Sequence, residues 1–91
     1  MTDPAVPGLP GLEGGEEQAA EDVIQEVVNW YTGQLLAEHR APAADEGRVG
    51  ELKAARQAAL ADQQQLATAD PLETARIAGF YAARLKELNA P

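Results

Sequence analysis

The chain offers few residues that could do chemistry. It has one histidine, no cysteine and no serine in 91 residues. His39 stands between Glu38 and Arg40 and would be the natural general base or metal ligand. Either role needs partners, and no second His stands at H-x-x-x-H or E-x-x-H spacing. Without Cys there is no disulfide framework, no thiolate metal site and no thiol nucleophile. Without Ser there is no nucleophile elbow of the G-x-S-x-G type. The carboxylates Glu13, Glu16, Glu17, Glu21, Asp22 and Glu26 are dense, and Glu17, Glu21 and Gln25 fall on one helical face. A hard cation wants roughly six or more converging oxygens, and no EF-hand spacing is present. "GLPGLEGG", residues 8–15, is glycine-rich but lacks the Lys-Ser/Thr of a phosphate-binding loop. The sequence therefore predicts no catalytic residue, no metal, no cofactor and no enzyme.

Charge narrows the partners. The net charge is −8. Residues 1–40 hold eight acids and one base, Arg40, for a net −7; residues 41–91 hold seven acids and six bases, for a net −1. With no basic cluster, the counterion-release term that drives nucleic-acid binding is missing, so direct binding to nucleic acid or an anionic membrane is not expected. No apolar run approaches the ~18 residues of a membrane span. The N-terminus lacks the basic and apolar regions of a secretory signal, so a cytoplasmic location is expected. Abundant Ala, with Arg exceeding Lys, fits a helical chain and matches the usage of a GC-rich bacterial genome.

The elements that would position any site follow from periodicity. "MTDPAVPGLPGLEGG" alternates Pro and Gly and reads as a disordered tail over residues 1–15. Its repeated P-G-L reads as part of a flexible leader. One helical domain is expected over 16–90. The first helix runs over about 16–40, with Gly15 as N-cap. Acids at its start and His39 and Arg40 at its end suit the helix dipole. Its apolar residues are Ala20, Val23, Ile24, Val27, Val28, Tyr31 and Leu35, with Trp30 and Leu36 beside them, a wide stripe. Gly33 lies inside it and suggests a close backbone contact or a bend. The second helix runs over about 45–68 from Asp45, with a thin stripe at Val49, Leu52, Ala55, Ala59, Gln63 and Leu66. The third runs over about 71–88. "DPLE" supplies Asp70 as N-cap, Pro71 at N1 and Glu73 at N3, an Asp-led capping box. Its stripe is Ile77, Tyr81, Leu85 and Leu88, with Leu72, Ala78 and Phe80 adjoining. Short connections favour antiparallel neighbours. The fold class is all-α, a small three-helix bundle arranged up-down-up.

Function then rests on surfaces. Helix 1 carries more apolar surface than helices 2 and 3 are expected to cover, helix 2 offering mostly Ala, and Trp30 and Tyr31 are types that anchor interfaces. The chain reads as a non-enzymatic protein–protein interaction module, an adaptor, regulatory or assembly protein. Its partner would be another protein or a second copy, with a homodimer preferred because one symmetric contact covers the surplus. The expected seam is Val23, Val27, Trp30 and Tyr31 on helix 1, facing Phe80 and Leu85. The alternative is an acidic, antitoxin-like regulator or nucleic-acid mimic that neutralises a basic partner.

Overall fold

The computed structural model describes the backbone of residues 9–91 and side chains from Gly15 onward. Three α-helices follow one another: α1 (Leu9–Arg40), α2 (Glu46–Gln65) and α3 (Pro71–Leu88). There is no strand among the described residues. The first part of the expected tail, residues 1–8, lies outside the described residues. From Leu9 the backbone is helical, so α1 starts earlier than Glu16 and Gly15 is interior rather than a cap. A proline in the first turn blocks nothing, and an interior glycine lowers helix stability without forbidding it.

Local chemistry explains the other ends. Ala41 precedes Pro42, which disfavours α geometry there, and α1 stops at Arg40. Asp45 is extended and accepts the Arg48 amide at 3.1 Å, capping α2. Helix α2 ends at Gln65, three residues before the expected Thr68. There Leu66, Ala67 and Thr68 make tighter bonds to the carbonyls of Gln63, Gln64 and Gln65. Pro71 holds Asp70 extended, with ψ 170°, and Asp70 accepts the Glu73 amide at 2.8 Å. The reciprocal half of the capping box is not formed. Glu73 instead accepts from the guanidinium of Arg76, one turn on.

The helices run up, down and up. Along α2, Arg48 reaches Gln34 and Glu38, Arg56 reaches Thr32, and Gln63 reaches Glu21 and Gln25. That order makes α2 antiparallel to α1. Along α3, Thr74 shares a groove with Glu16 and Ala19, and Arg84 meets Tyr31. That order makes α3 parallel to α1. Both outer helices lie against α1, while their own backbones seldom come close to each other.

The core holds Ala20, Ile24, Val27, Val28 and Tyr31 from α1, Leu52 and Ala59 from α2, Leu66 just after it, and Ile77 and Tyr81 from α3. The apolar stripe of α1 is therefore largely covered from within the chain, contrary to the expected surplus. It is covered because it is split between two partners. Polar α2 side chains complete the cover: Arg56 donates to the Thr32 hydroxyl at 2.9 Å, and Gln63 donates to the Glu21 carbonyl at 3.2 Å. Gly33 is exposed, and a Cβ there would meet open space, so it marks no close approach.

Two stability outcomes follow. Ile24→Ala, at a fully buried position, is expected to cost about 2–5 kcal/mol in denaturant unfolding. Gly33→Ala is expected to add about 0.5–1 kcal/mol, because the helical backbone gains propensity with no clash. A loss on Gly33→Ala would mean that the α1 backbone is not a regular helix there.

Candidate functional site

The gap between α2 and α3 collects the most chemically distinctive side chains. Tyr81 lies on the buried face of α3 and donates its hydroxyl to Asp62 of α2 at 2.5 Å. Arg84, one turn further along α3, donates to the Tyr31 hydroxyl from α1 at 3.4 Å. The three helices thus contribute two phenols, one carboxylate and one guanidinium to a single junction. Two edge-on aromatic pairs, Trp30–Tyr31 and Phe80–Tyr81, flank it, with ring centroids 5.6 and 5.0 Å apart. The Arg84 guanidinium also lies 5.4 Å from the Phe80 ring centroid, a cation–π distance.

The electrostatics of this junction are those of a clamp. Burial pushes the Tyr81 phenol well above its ordinary value, and the hydrogen bond to Asp62 and the negative charge of that carboxylate push it further. A phenol held this firmly in its protonated form is a donor, not a base. At the outer face of α3, the hydrogen bond and charge of Arg76 hold the Glu73 carboxyl below its usual range, and Arg76 is raised in turn.

Five of the six residues expected to form a seam are brought together around the chain's own core. Val27 and Tyr31 are buried in the chain's own core, so they are withdrawn from any contact between copies in this arrangement. The reason is geometric: they lie in the middle of the arc that α2 and α3 share. Val23, Trp30 and Leu85 are partly buried and pack against that core. Phe80 alone among the six is exposed, with 51% of its surface accessible. Leu72 and Leu36 are also exposed, at 82% and 50%.

His39 lines an open cleft with Ala44, Glu46, Val49, Gly50 and Lys53. Among the described residues, no group of three or more His, Asp or Glu side chains could hold a metal ion. No helix among them is long and apolar enough to cross a membrane. Asp62 and Arg84 were not singled out by periodicity. The signal that could have found them is their place beside the stripes: Asp62 precedes the core-facing Gln63, and Arg84 precedes Leu85. No protein-family model, no curated protein and no solved structure matches this chain.

The clamp makes an alkaline prediction. The folded-state value of Tyr81 is raised above the unfolded value of about 10, so its stabilising contribution is complete below about pH 10 and is lost as pH rises beyond it. Tyr81→Phe should cost about 1 kcal/mol at neutral pH. It should also flatten the decline in stability above about pH 10, read by denaturant unfolding across pH. An unchanged alkaline decline would mean that Tyr81 does not hold its proton through this contact.

Proposed function

We propose that this chain is a non-enzymatic helical interaction module that associates with a second copy of itself. One observation carries the reading. Helix α3 buries Ile77 and Tyr81 but leaves the chain's only phenylalanine half exposed and Leu72 almost fully exposed on its outward side. Phe80 is flanked one turn away on each side by Arg76 and Arg84. An exposed aromatic bordered by arginines is the composition of an interface centre, where aromatic residues and Arg are enriched and contribute most of the binding energy.

The surface for association therefore moves from α1, where it was first expected, to α3. The buried junction serves this role indirectly. Asp62 and Tyr31 hold Tyr81 and Arg84 from the inside, which fixes the rotation of α3 and keeps Phe80 outward.

The test is the absolute mass of the full chain by light scattering after size exclusion, across a concentration series from micromolar to about millimolar, the range where interfaces of this size class operate. Mass rising towards twice 9.6 kDa supports the reading. A constant monomer mass throughout overturns self-association.

A further inference from the structure

The exposed side of α3 reads the same in both directions about Phe80. Glu73 lies seven residues before it and Glu87 seven after; Arg76 lies four before and Arg84 four after. Offsets of four and seven are the ones that keep side chains on one helical face. The face is therefore a charge palindrome, Glu-Arg-Phe-Arg-Glu. Arg76 and Glu87 keep 66% and 74% of their side-chain surface accessible, and Glu73 and Arg84 about two-fifths.

Such a face is complementary to itself about a two-fold axis. We infer that α3 packs against α3 of a second copy, antiparallel, about a two-fold axis that passes through Phe80. The inference rests on the self-association reading above and names its contact. A two-fold contact is isologous, so every pair occurs twice. A two-fold axis normal to the plane of the two helices sets residue 80 − k level with residue 80 + k of the second copy. It also keeps each flank of one helix against the same flank of the other.

The flanks then decide the sign. At 100° per residue, Glu73 and Arg84 fall on the flank nearer α2, and Arg76 and Glu87 on the flank away from it. On the first flank, Glu73 stands three residues from the level of Arg84 of the second copy, about 4.5 Å along the axis. On the other, Arg76 stands the same distance from the level of Glu87 of the second copy. Two-fold symmetry makes four cross-helix pairs of opposite charge. Like charges that share a level, such as Arg76 and Arg84 of the second copy, sit on opposite sides of the phenylalanine line. A parallel pairing would swap the flanks and set Glu73 beside Arg76 and Arg84 beside Glu87 of the second copy, so ion pairs alone do not choose the direction. The acidic start of α1, however, lies beside the start of α3, and a parallel pairing would bring two such ends together where the antiparallel one keeps them apart.

The charges are available for this exchange. Within one chain, Arg76 is bound to Glu73, and Arg84 to Glu87, as exposed i, i+3 pairs. Such pairs contribute little, so re-pairing across an interface that excludes water from Phe80 is not opposed by much. Space is available as well. On α2, Ala58 shares a face with Asp62, one turn before it, and is exposed, so a second helix can approach this side of α3 closely. The contact is one helix pair with an alanine flank, below the ~800 Å² per partner of a standard interface, so the dimer should dissociate on dilution.

The experiment uses the full chain and three variants in sedimentation equilibrium: Phe80→Asp, Arg76→Glu and Glu87→Arg. All three positions are exposed, and circular dichroism checks that each variant stays helical. Phe80→Asp should weaken dimerisation roughly tenfold or more. Arg76→Glu alone sets Glu against Glu twice and should weaken it, as should Glu87→Arg, which sets Arg against Arg twice. An equimolar mixture of these two should recover the wild-type association constant, because both mixed contacts are again of opposite sign. Recovery on mixing is specific to this pairing; loss of helix structure or of general solubility would not produce it. A wild-type dimer indifferent to Phe80→Asp, or a mixture no tighter than its parts, overturns the α3 contact while self-association stands. A monomeric wild type overturns both.

Discussion

The fold depends on one constraint: α1 must have its apolar arc divided between two helices that hardly touch each other. Ile24 and Val27, both fully buried, lie where the two territories meet. Helix α2 contributes little apolar volume of its own, chiefly Leu52, Ala59 and the following Leu66. A slim helix buries little area, and burial is the main stabilising term. What makes α2 sufficient is that its long polar side chains lie along α1. Arg56 on the Thr32 hydroxyl and Gln63 on the Glu21 carbonyl satisfy polar groups at the edge of the core while their stems cover apolar surface. Thr32 itself donates back to the Val28 carbonyl, so one hydroxyl ties a helix turn to its neighbour.

The gap between α2 and α3 follows from the same division. Because both helices face α1, contact between them falls to long side chains. Tyr81 reaching Asp62 bridges the gap directly, and Tyr31 reaching Arg84 braces it from behind. A phenol is suited to this because its ring is core material while its hydroxyl still finds a partner at the rim. These bonds set the rotation of α3. Were α3 turned by one residue, about 100°, Phe80 would move towards the core and Tyr81 would lose Asp62. The exposed phenylalanine is thus a consequence of the choice of tyrosine beside it.

Much of this was legible in the residues. The thin stripe of α2 needed only its 3-3-4-4-3 spacing, and Leu52, Ala59 and Leu66 are buried while Val49, Ala55 and Gln63 are partly so. Asp45 and Asp70 announced two helix starts through known capping chemistry. What periodicity does not carry is the identity of the neighbour. A stripe says which residues avoid water, not which helix shields them. Val27 and Tyr31 therefore looked as suitable for a second copy as for the chain's own core, and only the crossing of α2 and α3 over α1 separates the two. Phe80 posed the opposite problem. It lies one position from Tyr81, and a single stripe of three or four residues cannot say on which side of its edge a flanking aromatic falls. The palindrome around it was visible as spacing, but it acquires meaning only when all five residues are known to share an outward face.

Net charge sets the last condition on association. Two chains of −8 repel each other, and the acidity is not spread evenly. Residues 16–26 carry five carboxylates and no base, whereas α3 carries Arg76, Arg84 and Lys86 against Glu73 and Glu87. Of the three helices, α3 is the one with net positive charge, so a contact through α3 keeps the acidic end of α1 off the interface. Salt then acts in two directions. It screens the long-range repulsion between the chains, and it also weakens ion pairs that remain partly exposed. At a Debye length near 8 Å, the repulsion is already largely screened while pairs a few ångströms apart are not. The α3 contact is therefore compatible with a strongly acidic chain because its attractions are short and its repulsions long.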